Sequence, residues 1–178
     1  MRIVAGSRKG HRLAAPKGRG TRPTSDRVRE SAFALLGSVE GVDALDLFAG
    51  SGALGLEALS RGAAGCLFVE RDRDACRVLA ANVERLALPG AEVACRDVVR
   101  VLRELAARGR RFDLVLADPP YEAWERHAAP LAELLPPVLR PGARVLVETA
   151  AAVEPALPLD LVTARRYGSA RITVFRAP

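Results

Sequence analysis

From Val42 to Val147 the chain alternates between two hydrophobic periods. Short, almost wholly apolar runs have strand length and composition: Ala44–Phe48, Cys66–Val69, Glu92–Cys95, Phe112–Ala117 and Ala143–Val147. Between them, Ala53–Arg61, Asp72–Leu86, Val98–Arg108 and Glu122–Leu139 repeat apolar residues at helical spacing, the last interrupted by Pro136-Pro137. Strands without a polar face, alternating with helices, predict a parallel sheet covered on both sides. Leu161–Tyr167 and Ala170–Phe175 meet at Gly168-Ser169 and predict a hairpin, hence an antiparallel edge. Upstream, Arg2–Ser7 and His11–Ala15 alternate weakly around Arg8-Lys9-Gly10, which predicts a small β-hairpin. Pro16–Pro23 reads as a loop. Thr24 or Ser25 can cap a helix starting near Asp26, whose apolar stripe is Val28, Ala32, Phe33, Leu35 and Leu36.

With 178 residues the chain has the size of one domain. No apolar run approaches the roughly 20 residues that span a bilayer, and the first residues lack a signal-peptide core. A cytosolic protein without membrane contact is expected. Cys66, Cys76 and Cys95 form no C-x-x-C pair, and each lies in an apolar segment. They read as buried small hydrophobes, not as a disulfide or a zinc site. His11 and His127 have no partner at ligand spacing, so no metal is expected.

Charge divides the chain. The net charge is +6, yet residues 1–29 hold nine Arg or Lys against Asp26 alone, and the rest is slightly acidic. Arg2, Arg8, Lys9, Arg12, Lys17, Arg19, Arg22 and Arg27 are therefore the candidate polyanion contacts. We divide the chain accordingly into a basic extension, 1–41, and an α/β domain, 42–178.

The first strand runs into Asp46-Leu47-Phe48-Ala49-Gly50-Ser51-Gly52-Ala53-Leu54-Gly55 and then a helix. Gly50, Gly52 and Gly55 fit G-x-G-x-x-G in a strand–turn–helix setting, where backbone and helix N-terminus approach a ligand closely. Glu70 ends the second strand, 20 residues past Gly50, and suits two ribose hydroxyls. NAD and S-adenosylmethionine both fit so far. Asp46 lies where a dinucleotide would bring its pyrophosphate. Like charges about 4 Å apart cost on the order of 1–4 kcal/mol near a surface, whereas a cationic amino group and sulfonium gain there. Asp97, after the third strand, can accept from an adenine amino group or cap the next helix.

The fourth strand ends in Asp118-Pro119-Pro120-Tyr121. Two prolines remove two N–H donors, leaving the Pro119 carbonyl and the Asp118 carboxylate as acceptors beside an aromatic ring. Such a set suits the exocyclic amine of a base. Acceptors hold its protons and aim its lone pair, while Tyr121 stacks on an unpaired or flipped base.

The Asp46–Gly52 loop together with Asp118–Tyr121 resembles class I S-adenosylmethionine-dependent methyltransferases of exocyclic amines. Arg22-Pro23-Thr24-Ser25-Asp26-Arg27-Val28-Arg29-Glu30 and Phe48–Arg61 narrow the resemblance to the RsmD family of bacterial 16S ribosomal RNA guanine-N2 methyltransferases. The resemblance runs from Arg2 to Phe175. It implies a Rossmann-like α/β fold, with a seven-stranded, mostly parallel sheet and a small N-terminal hairpin. It implies methyl transfer from S-adenosylmethionine, leaving S-adenosylhomocysteine, to one guanine of 16S RNA within the small subunit or a late assembly intermediate, by a monomer. Asp46, Gly50 and Gly52 would line the methionine, Glu70 the ribose and Asp97 the adenine, with Phe48, Arg71, Val98 and Thr24 completing the cofactor set. Asp118, Pro119, Pro120 and Tyr121 would hold the guanine. Thr24 and Arg27 lie in the N-terminal motif and would close over cofactor or RNA. Related enzymes often carry Asn where this chain has Asp118; a carboxylate is the stronger acceptor for amine protons. DNA adenine-N6 methylation, protein glutamine methylation and a non-catalytic RNA-binding assembly role are the rival readings, with a dehydrogenase as the last.

Overall fold

The structure is a computed structural model, and it describes residues 1–15, 25–120 and 124–178. Along the chain run α1 (Asp26–Leu36), β1 (Asp43–Leu47), α2 (Ala53–Ser60), β2 (Gly65–Glu70), α3 (Arg73–Leu86), β3 (Ala91–Cys95), α4 (Val98–Ala107), β4 (Phe112–Ala117), α5 (Trp124–Leu134), a 3-10 turn (Pro136–Val138), β5 (Leu139–Ala150), β6 (Asp160–Tyr167) and β7 (Ala170–Arg176). One seven-stranded sheet has the order β3-β2-β1-β4-β5-β7-β6. β1 to β5 are parallel, and β7 is antiparallel to both β5 and β6.

The period of two along the strands explains why both faces are covered. Leu114 and Leu116 enter a core with Phe33, Phe68, Leu79 and Ile172. Val115 and Ala117 enter the opposite core with Leu102, Trp124 and Val145. Ile3, Leu13 and Leu36 share the first core, so residues from the first 41 pack directly on the sheet. The N-terminal hairpin is minimal. Arg2 and Arg12 form one antiparallel bridge, held by Ile3 N–H to the His11 carbonyl and Leu13 N–H to the Met1 carbonyl. Its turn docks against α2. Gly6 (φ 81°) sits where a Cβ would lie 1.8 Å from the Ser60 carbonyl oxygen, so only glycine allows this contact. Ser25 caps α1, accepting from Val28 N–H at 3.2 Å.

Two expectations need correction. The expected helix over 122–139 is described as helix only over Trp124–Leu134. A 3-10 turn holds the two prolines, and Leu139 already opens β5 in register with Phe112. The helix runs through the single Pro130, but Pro136 and Pro137 withdraw two successive N–H donors, and the chain leaves the helix there. The cysteines are not all lone small hydrophobes either. Cys66 is free and buried, but Cys76 and Cys95 are joined by a disulfide, and Cys95 is exposed. Parallel pairing of β2 with β3 sets Cys95 beside Glu70, next to the first turn of α3, and so brings together sulfurs that lie 19 residues apart; residue spacing carries no trace of that. Among the described residues no helix is long and apolar enough to cross a membrane, and no cluster of three metal-ligating side chains occurs.

Candidate active site

The carboxyl ends of β1, β2, β3 and β4 lie side by side on one edge of the sheet, and each carries an acid within two residues of its end. Asp46, on β1, is 1% exposed. Its Oδ2 accepts the Gly55 N–H at 2.9 Å, closing the glycine loop onto its own strand. Burial pushes its carboxyl up to about 7; the Gly55 N–H opposes this and the charge of Glu70 adds to it. Such an acid is only about half ionised near pH 7, and a cation brought to it favours the ionised form.

The loop itself is built from left-handed residues: Phe48 (φ 59°), Gly50 (φ 56°) and Gly52 (φ 84°). The later glycines matter through space as well. A Cβ on Gly52 would lie 2.4 Å from Leu79 Cδ1, and one on Gly55 2.3 Å from the Phe68 ring and 2.6 Å from Cys66 Sγ. Gly55 thus lets α2 lie close on β2. Phe48 alone adopts the left-handed region with a side chain in this loop, at a cost of order 1–3 kcal/mol. Its ring meets His127 of α5 edge-on, centroids 4.8 Å apart. Burial lowers the His127 pKa; Asp97 raises it, while Arg71 and Arg126 lower it. Phe48 therefore joins the loop to the helix that follows β4.

Glu70 binds three N–H groups: Gly50 at 2.9 Å through Oε2, and Arg71 and Asp72 at 2.8 Å through Oε1. Both lone-pair sites of Oε1 are thus taken, and Oε2 retains one for a hydroxyl. Asp97 caps α4 through the Arg100 N–H at 3.2 Å, leading directly into buried Val98. Asp118 follows β4 with its N–H 3.5 Å from the Leu47 carbonyl, next to the glycine loop; Pro119 is buried and Pro120 exposed. Tyr121 and Thr24 lie outside the described residues, as do Lys17, Arg19 and Arg22.

The remaining basic candidates divide. Lys9, Arg12 and Arg27 are exposed. Arg2 is exposed but pairs with Asp26 at 3.0 Å, and Arg8 is half-buried with its Nε donating to the Leu86 carbonyl at 2.7 Å.

Three structural anchors beside the site went unseen in the sequence. Glu57, wholly buried in α2, accepts Val4 N–H at 2.8 Å, Ala5 N–H at 3.0 Å and Arg61 Nε at 2.7 Å. Arg29, wholly buried in α1, lies 3.6 Å from Glu57, bonds Asp26 at 2.8 Å and donates to the Arg2 carbonyl. Buried Asn82 of α3 exchanges bonds with Ala14 (2.9 and 3.0 Å) and donates to the Ser51 carbonyl at 2.9 Å, tying the N-terminal segment to the glycine loop. The signal was present for the first two: each is a charge among apolar residues of a helix, and such a charge needs a partner.

The sheet order, the antiparallel β7 and the glycine loop after β1 define a class I methyltransferase fold. The putative methyltransferase yhhF from Escherichia coli superposes with a TM-score of 0.82 at 33% identity, covering 99% of this chain and 97% of that one. A hypothetical protein of Thermus thermophilus superposes with a TM-score of 0.85 at 32% identity, covering 98% of both chains. Residues 1–176 match the family described as Conserved hypothetical protein 95. Ribosomal RNA small subunit methyltransferase D of E. coli is 45% identical over 123 residues, 68% of this chain and 60% of that protein. A putative rRNA methyltransferase of Bacillus subtilis, YlbH, is 46% identical over 124 residues, 68% of this chain and 67% of that protein. The aligned part thus spans less than two thirds of the E. coli protein. The chain belongs to the RsmD family.

Proposed function

We propose that the protein transfers a methyl group from S-adenosylmethionine to N2 of one guanine in 16S ribosomal RNA, acting as a cytoplasmic monomer on the small subunit or a late assembly intermediate. One observation carries this reading: Asp118-Pro119-Pro120 leaves β4 beside the end of β1, where the glycine loop and Asp46 converge.

The residues fit the cofactor. A cation beside buried Asp46 favours its ionised form, and the amino group of the cofactor is one. Glu70 already holds the glycine loop and has acceptor capacity left for a ribose hydroxyl; Asp97 and Val98, one strand further on, suit the adenine, and Phe48 and Arg71, just past β1 and β2, complete the set. When bound, S-adenosylmethionine supplies an electrophilic methyl group on a sulfonium. What remains falls to the chain. Asp118 and the Pro119 carbonyl accept the protons of the guanine amine, which turns its lone pair out of conjugation and toward the methyl. Prolines at 119 and 120 add no competing donors and stiffen the turn. Tyr121 stacks on the base, and Thr24 closes over the cofactor. Catalysis of this kind is positioning and electrostatics. Lys9, Arg12 and Arg27, with Lys17, Arg19 and Arg22, give the RNA its phosphate contacts.

The test uses tritiated S-adenosylmethionine with unmodified small subunits, naked 16S RNA and DNA in parallel, followed by digestion to nucleosides. Label in N2-methylguanosine from the small subunit or its RNA is the expected result. Label in DNA or in glutamine, or none at all with the cofactor bound, overturns it.

A further inference from the structure

Cys76 lies in the first turn of α3 and is buried; Cys95 is the last residue of β3 and is exposed. The structure joins them, with Cα atoms 5.9 Å apart, well inside the range a disulfide accepts without moving the backbone. The bond sits against two functional acids. Cys95 is the register partner of Glu70, and the Cys76 sulfur lies 3.3 Å from the Glu70 carbonyl oxygen. Two residues past Cys95 stands Asp97, the cap of α4. The bond therefore ties the first turn of α3, which closes the loop after β2, to the end of β3, which opens the loop after it. Cys66 does not compete, because it is buried behind the glycine loop, where burial and Asp46 push its thiol well up.

We infer that Cys76 and Cys95 are a reversible oxidation site that sets how tightly the adenosine half of the cofactor is held. The inference rests on the cofactor reading above. Oxidised, the pair braces Glu70 and Asp97 in place before the ligand arrives; reduced, the two loops are ordered at the expense of binding. The oxidant is a peroxide. The Cys95 thiolate, exposed to solvent, attacks one peroxide oxygen. The O–O bond breaks, water or an alcohol leaves, and a sulfenic acid remains. The Cys76 thiol then attacks the Cys95 sulfur. The S–S bond forms, the S–O bond breaks, and water departs with the Cys76 proton. Two electrons pass from the sulfurs to the peroxide. A dithiol reverses the change by exchange, with its first access at Cys95.

The experiment compares the full chain after hydrogen peroxide with the same chain after dithiothreitol, reductant removed. Free thiols counted in denaturant should be one and three. Peptide mapping should place the bridge between Cys76 and Cys95. The oxidised form should melt about 5–10 °C higher. It should bind S-adenosylhomocysteine three- to tenfold more tightly by calorimetry, while Cys95→Ser gives the weaker affinity under both treatments. Three thiols after peroxide, or equal affinities in the two forms of the unaltered chain, overturns the inference. If the reduced and oxidised chains both bind no S-adenosylhomocysteine, the cofactor reading falls with it. Equal, measurable affinities leave that reading intact and remove only the switch.

Discussion

Asp46 carries opposed demands in one side chain. Below about pH 4 folded and unfolded chains both hold its proton. Between about 4 and 7 the unfolded chain releases it while the folded chain keeps it, so folding stability falls as pH rises, and the whole loss is in place above 7. The ceiling is about 4 kcal/mol. Asp46→Asn keeps an acceptor for the Gly55 N–H but has no charge to desolvate. It should raise Tm at pH 8 by about 5 °C, with the gap closing toward pH 4, and should weaken cofactor binding at least tenfold. A lower Tm at pH 8 contradicts this account. At pH 6 the unaltered chain should release a proton on binding the cofactor, seen as a calorimetric heat that changes with the buffer. Asp118→Ala separates chemistry from binding: transfer should fall by about a thousandfold or more while cofactor affinity stays within about twofold. The position of both acids was legible because it is local, an acid beside glycines or prolines at a strand end. Arg8 was not. Its sequence neighbours are the same whether its guanidinium faces phosphate or, as here, the Leu86 carbonyl.

At the scale of elements, α2 is held from two sides. Against the sheet it depends on Gly55, and Gly55→Ala should cost about 1–3 kcal/mol in urea unfolding through overpacking on Phe68 and Cys66. Toward the N-terminal segment it depends on the Glu57 carboxylate, with Arg61 bonded to it and lying over the Phe33 ring at 4.7 Å. Glu57→Ala strips Arg29 of a buried counter-charge and should cost about 3–5 kcal/mol. Glu57→Leu combined with Arg29→Met should cost clearly less than either single change, and a strictly additive result would count against the pairing. Element order and most boundaries could be read because strand and helix periods here are clean. The end of α5 could not, since the apolar pattern runs on through Pro136-Pro137 to Leu139 while the backbone changes state. The disulfide was hidden for a related reason: register between strands is a three-dimensional quantity.

Over the whole molecule, the candidate acids and the basic excess fall in different parts of the chain. The acids proposed for the site share the carboxyl edge of the sheet, and the basic excess lies in the first 29 residues. If exposed Lys9, Arg12 and Arg27 grip phosphates, RNA affinity should fall steeply with salt, and each change to Ala should reduce the slope by about one. Arg8→Ala should instead leave the slope unchanged and lower Tm. A flat salt dependence would remove the extension from RNA binding altogether. Composition alone revealed the asymmetry but not its internal division, since Asp26 and the Leu86 carbonyl take part of the charge into the fold.

The contact between Glu57 and residues 4 and 5 is made to main-chain N–H groups, which nineteen of the twenty amino acids possess. The fold therefore reads those two positions without reading their side chains. In a library randomised at Val4 and Ala5, most replacements should survive selection for a folded chain, and proline should be lost from both.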